Sequence, residues 1–111
     1  MDLSRLNRVE IDVEKHLAYA QGGALVSDFD FAAAKRGFVG VSGTVNHTGI
    51  GGLITGGGYG YLAGQYGLVI DNLVEATVVV ADGRIVKANE TENPDLFWGI
   101  RGSTWDAALM T

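Results

Sequence analysis

The chain has 111 residues, of which 47% are hydrophobic, 19% are charged and 17 are glycine, about twice the ordinary glycine share. That apolar content excludes intrinsic disorder, no stretch approaches the roughly 18 uninterrupted apolar residues of a membrane span, and a net charge of −5 gives no support to a nucleic-acid surface. The lack of cysteine rules out a disulfide framework, a thiolate metal site and a cysteine nucleophile, and the length points to one folded domain.

Met1-Asp2-Leu3-Ser4-Arg5 is charged and has no apolar h-region, so no signal peptide is expected and a cytoplasmic location is the default expectation. Arg8 to Val13 alternates polar and apolar residues with period two, Glu14-Lys15 makes a polar turn, and His16 to Gln21 alternates again. This pattern predicts a hairpin with His16 in its second strand, at the surface. A helix is predicted next, with Ser27 as N-cap, Asp30 completing a capping box and Gly37 as a left-handed C-terminal residue.

Twelve of the 17 glycines lie between Gly37 and Gly67. Interior glycines disfavour a regular helix, each by about 1 kcal/mol relative to Ala. Val45, Ile50, Leu53, Ile54, Tyr59, Tyr61 and Leu62 supply apolar anchors, which disfavours a flexible linker. The segment is therefore expected to be an ordered loop system whose backbone passes close to something, with room for a short helix near Gly49–Leu53. Thr77 to Ala81 is predicted as a buried strand, Asp82-Gly83 as a hairpin turn and Arg84 to Lys87 as the returning strand. Asn93-Pro94-Asp95 opens a short helix with Pro at its first position. Paired strands without βαβ alternation give an α+β class. Asn46-His47-Thr48 and Asn89-Glu90-Thr91 match the N-glycosylation pattern, but chance matches are common and neither is read as a glycosylation site.

Glycines beside small hydroxyl residues can aim several backbone N–H groups at one point, which suits an anion and most often a phosphate. Thr44, Asn46, His47, Thr48 and Thr55 can add neutral hydrogen-bonding groups. The competing reading is that the glycines serve tight turns and close backbone packing. No GxxxxGK[ST] motif is present, which excludes a P-loop site. Gly49-Ile50-Gly51-Gly52 lacks the third glycine and the strand–helix setting of a dinucleotide fingerprint. His16 and His47 have no supporting cluster for a metal, and Ser42 has neither a nucleophile elbow nor an evident base.

The run from Gly43 to Leu53, followed by Gly56-Gly57-Gly58-Tyr59-Gly60, resembles the flavin-binding segment of the berberine bridge enzyme-like and hydroxynicotine oxidase-like oxidoreductases. These belong to the vanillyl-alcohol oxidase superfamily, whose FAD-binding domain is of the PCMH type. The likeness continues through Tyr66 to Leu73, Val79 to Gly83 and Asn93 to Gly102, and covers most of the chain. It implies an α+β second subdomain of mostly antiparallel strands with short flanking helices, occupying residues 1–111. It also implies FAD lined by Gly43, Thr44, Asn46, His47, Thr48, Gly49, Ile50, Gly51 and Gly52, with Gly57 and Gly58 allowing close approach nearby.

The chemistry implied by the resemblance is hydride removal from an alcohol, amine or carbon centre to the flavin, with reoxidation by dioxygen, the protein supplying placement. The first subdomain, with the histidine that bonds covalently to FAD in the family, and the substrate domain have no counterpart in the sequence. Val45 stands where some members carry a second, cysteinyl link, Leu53 fits the bacterial and fungal branch, and residues 103–111 depart from the family pattern of glycines, Asn-Phe-Gly and a strand. No catalytic residue and no substrate can be named. Two functions are expected from these residues: the FAD-binding portion of an oxidoreductase, or a small non-catalytic binding or interaction module. In either case the apolar glycine-rich face predicts self-association or loose order of that segment.

Overall fold

The computed structural model describes residues 2–102 and 109–110. Two small antiparallel sheets and short helices make up the chain, the α+β arrangement that the sequence predicts. Strands β1 (Val9–Asp12) and β2 (Leu17–Ala20) form the first hairpin, with Val9 opposite Ala20 and Asp12 opposite Leu17. His16 lies in its turn and not in the strand: it takes a positive φ of 53° and rests edge-on against Phe38, 5.4 Å between ring centroids.

Helix α1 covers Val26–Lys35, beginning before the predicted Ser27 cap. The reason is tertiary. Leu25 is extended and bridges Gly49. The first helical N–H groups, of Val26 and Ser27, donate to the carbonyls of Thr48 and Asn46, each at 2.9 Å. Asp28, not Asp30, closes the start by accepting the Leu25 N–H at 2.9 Å. Asp30 instead accepts the Ser42 hydroxyl at 2.8 Å. The helix ends at Gly37, which is left-handed (φ 75°) as predicted.

The glycine-rich segment carries helix α2 (Ile50–Thr55), close to the expected place, and helix α3 (Ala63–Tyr66). A 3-10 turn over Val69–Asn72 follows. Strands β3 (Ala76–Val79) and β4 (Ile85–Ala88) pair through the Asp82-Gly83 turn. Helix α4 (Pro94–Ile100) has Pro at its first turn. Strand β5 (Leu109–Met110) pairs antiparallel with β3, so the second sheet has the order β4-β3-β5. Residues 103–108 and 111, where the sequence departs from the family pattern, lie outside the described residues.

Burial divides into two clusters. Ala76, Val78, Ala88, Phe97 and Ile100 join β3, β4 and α4. Ala24, Val26 and Ile50 join α1 and α2, with Val9, Ala20, Phe29, Leu53 and Ile54 packed against them. A folded domain usually has one contiguous core. Between the two sheets runs a groove of about 890 Å³, lined in part by Ile11, Ala20, Phe38, Val41, Ile54 and Val74.

Candidate cofactor-binding site

The predicted site residues form one continuous strip around the start of α2. Residues 44–49 run antiparallel to the start of α1, held by the Thr48 and Asn46 carbonyls and by the Ile50 N–H, which donates to Ala24 at 2.8 Å. The Asn46 and Thr48 carbonyls thus face α1. The strip's N–H groups are mostly left over. Those of Asn46, His47, Gly49, Gly51 and Gly52 have no acceptor among the described residues. Most of the strip is exposed; an unpaired backbone donor is costly once water is removed, so whatever covers these groups must bring an acceptor.

Charge is absent from the strip. No Asp, Glu, Lys or Arg occurs between Arg36 and Asp71. The carboxyls held below their ordinary range, Asp2, Asp12, Glu75 and Asp82, all lie outside it. Asn46 and His47 are exposed, with His47 Nδ1 3.4 Å from Asn46 Oδ1. The other sequon is occupied structurally: Asn89 Oδ1 accepts the N–H groups of Thr91 (2.9 Å) and Glu92 (2.7 Å), while its amide donates to Glu75 at 2.9 Å.

The glycines separate into two kinds, which the sequence cannot distinguish. A Cβ at Gly51 would lie 2.7 Å from the Gly22 carbonyl oxygen, and one at Gly58 would lie 2.7 Å from Val69. At Gly43 it would press on the Leu53 side chain at 2.9 Å. These positions are small because the chain packs on itself. Gly57 needs glycine for its φ of +106°. Gly49 and Gly52 have negative or helical φ and nothing within 4 Å of a Cβ. Nothing among the described residues requires glycine at either. The room they leave lies beside free N–H groups, so a polyanionic ligand held by neutral backbone donors fits the strip. The structure joins to it Thr55, which the sequence marks only as a hydrogen-bonding type. Its buried hydroxyl donates to the carbonyls of Gly51 and Gly52.

Residues 1–89 match the model of the FAD binding domain family. The chain is 46% identical over 111 residues to the FAD-linked oxidoreductase pgmH of Aspergillus terreus, covering 100% of this chain and 23% of that one. Among solved structures, 6-hydroxy-D-nicotine oxidase of Arthrobacter nicotinovorans superposes with a TM-score of 0.91 at 35% identity, over 100% of this chain and 24% of that one. Glucooligosaccharide oxidase of Acremonium strictum, described with a 6-S-cysteinyl, 8α-N1-histidyl FAD, superposes with a TM-score of 0.90 at 38% identity, over 99% of this chain and 23% of that one. The fold is that of a flavoprotein cofactor domain. The chain belongs to the FAD binding domain family. It spans about a quarter of the length of these relatives.

Proposed function

We infer that the chain is the second subdomain of a PCMH-type FAD-binding domain. In this reading Gly43, Thr44, Asn46, His47, Thr48, Gly49, Ile50, Gly51 and Gly52 line FAD, with Gly57 and Gly58 nearby. The observation that carries it is the uncharged strip of free N–H groups at Asn46, His47, Gly49, Gly51 and Gly52 beside the open faces of Gly49 and Gly52. Such a strip neutralises a diphosphate by directed dipoles without a cation. Gly43, Gly51, Gly57 and Gly58 serve mainly by holding the backbone in place. FAD, when bound, supplies hydride acceptance from an alcohol, amine or carbon centre and reoxidation by dioxygen. The relatives named for nicotine and oligosaccharide oxidation favour a small polar organic substrate.

The inter-sheet groove and the split core support a partner that completes the domain: the first subdomain and the substrate domain. Tyr59 and Tyr61, 73% and 90% exposed beside the strip, favour a second reading in which the isolated chain associates with itself. Titration of the purified chain with FAD, followed by flavin fluorescence and calorimetry, tests the first reading. Micromolar affinity is expected, and no binding at high FAD overturns it. Sedimentation tests the second, which a sharp monomer with uniform amide protection over residues 43–64 would overturn.

A further inference from the structure

Strand β3 has one side filled and the other only in part. Across Ala76–Val79 it pairs with β4, whereas β5 reaches only Val78 and Val79. The Val80 N–H donates to the Arg84 carbonyl at 2.9 Å. Backbone groups in an antiparallel pair alternate sides, so Val78 and Ala76 turn theirs to β4, while Val79, Thr77 and Glu75 turn theirs to the β5 side. Glu75 lies beyond the reach of β5, and its N–H and C=O have no backbone partner among the described residues. Strand β2 has a matching edge. The Gln21 N–H donates to the Arg8 carbonyl at 3.0 Å, so by the same alternation Tyr19 and Leu17 face β1. Ala20 and Ala18 face away from it, where no strand follows among the described residues. Leu17–Ala20 and Val74–Thr77 line the same groove, together with Phe29, Ile50 and Ile54 of the other core cluster. The groove thus holds two unpaired strand edges beside apolar side chains. Such a row of backbone donors and acceptors is what an added strand satisfies.

We propose that the inter-sheet groove seats one further β-strand, running on in line from β5 and antiparallel to β3. Carried past Met110, the β3–β5 register sets Thr77, Ala76, Glu75 and Val74 in turn against the incoming strand, and these are the residues that line the groove. Directly opposed residues share a face. The strand therefore needs an apolar side chain against Ala76, which is 3% exposed in the first core cluster, and accepts a polar one against exposed Glu75. A strand so placed joins the two sheets and the two clusters. The chain spans 23% of the pgmH relative, so proteins of this kind have the polypeptide to supply it. The proposal rests on the reading of the groove as the place where the domain is completed, and not on the cofactor strip.

The test extends the full chain past Thr111 by a short tail with valine set against Ala76 and Val74 and threonine against Glu75. A second tail alternates the same two residue types slipped by one, which turns every side chain to the other face. With the first tail, amide exchange at Glu75, Ala18 and Ala20 slows by about tenfold or more relative to the untailed chain, and with the slipped tail it does not. Equal exchange with both tails overturns the proposal. So does slow, concentration-dependent exchange at Glu75 in the untailed chain, since a second copy then fills the groove. If the tailed chain is too unstable for exchange, Glu75→Cys is paired with a tail cysteine directly opposite it or one position along. The sequence has no other cysteine, and a disulfide in both or in neither overturns the proposal. Every readout is taken without FAD, so failure here leaves the cofactor reading standing, and a chain that binds no FAD leaves this proposal standing.

Discussion

A Cβ at position 51 would lie 2.7 Å from the carbonyl oxygen of Gly22, whereas one at position 52 would meet nothing within 4 Å. Neighbouring glycines in one motif are thus small for opposite reasons. Gly51 lets α2 rest on the turn that ends the first hairpin. Gly52 faces away from the chain's own atoms. A substitution that abolishes cofactor binding is informative only at the second.

The two positions should respond oppositely to alanine. Gly51→Ala forces backbone against backbone and is expected to cost about 1–3 kcal/mol, lowering the melting temperature by several degrees. Gly52→Ala adds a good helix former at an open position and should raise stability by about 0.5–1 kcal/mol. It should nevertheless weaken FAD binding about tenfold or more, since hydrogen bonds to charged groups are worth roughly 1.5–3 kcal/mol. Paired thermal melts and FAD titrations check this. Unchanged FAD affinity in Gly52→Ala would show that the open face is not a cofactor face.

Asp28 is expected to order the strip from a distance. Its carboxylate caps Leu25, and Leu25 is bridged to Gly49. Asp28→Ala should cost about 1 kcal/mol as a lost cap and speed amide exchange at Val26, Ser27 and Ile50, the groups that tie α1 to the strip. Asp28→Asn should retain most of the protection. Equal exchange in the alanine variant and the wild type would remove the link between cap and strip.

Flavin bound by this chain should come off intact. The sequence contains no cysteine, so a cysteinyl link like that of the glucooligosaccharide oxidase cannot form, and Val45 offers no nucleophile. Denaturation followed by filtration should place all FAD in the filtrate. Protein still carrying the mass of FAD would point to His47 or His16, the only imidazoles.

Acid should destabilise the fold through its turns. Asp82 is held below its ordinary range first by the Arg84 N–H, Asp12 by the Lys15 N–H, Asp2 by the Ser4 N–H and Glu75 by the Asn89 amide. Each carboxyl is more acidic folded than unfolded. Its contribution is therefore present in full above the unfolded value, about 4, and is lost as pH falls through the lower folded value. The melting temperature should stay level from neutral pH to about 5 and fall below about 4. Asp82→Asn should flatten part of that fall, and an identical profile in the variant would contradict the assignment.

Much of the architecture was legible because it is local. Period-two alternation in residues 8–13 and 16–21 marked the first hairpin, Asp82-Gly83 the second and Asn93-Pro94 the start of α4. The misplaced helix start depends on distant partners. Ser27 looked like a cap, but the carbonyls of Asn46 and Thr48 satisfy the helix start two residues earlier. His16 looked like a strand residue, but the pairing of Asp12 with Leu17 leaves it in the turn, where its ring also rests edge-on against Phe38. Strand β5 was hidden because its signal lies in β3, not in residues 109–110.

The sequence by itself determined the α+β class, the glycine-rich strip and, through motif order and spacing, the flavin family, since composition and pattern reside in the covalent chain. Only the tertiary structure decided which glycines serve packing and which leave room for a ligand, which N–H groups stay free, and that Thr55 reaches back to Gly51 and Gly52. Those properties depend on what lies within a few ångströms in space, and a glycine has no side chain whose chemistry could announce its neighbour.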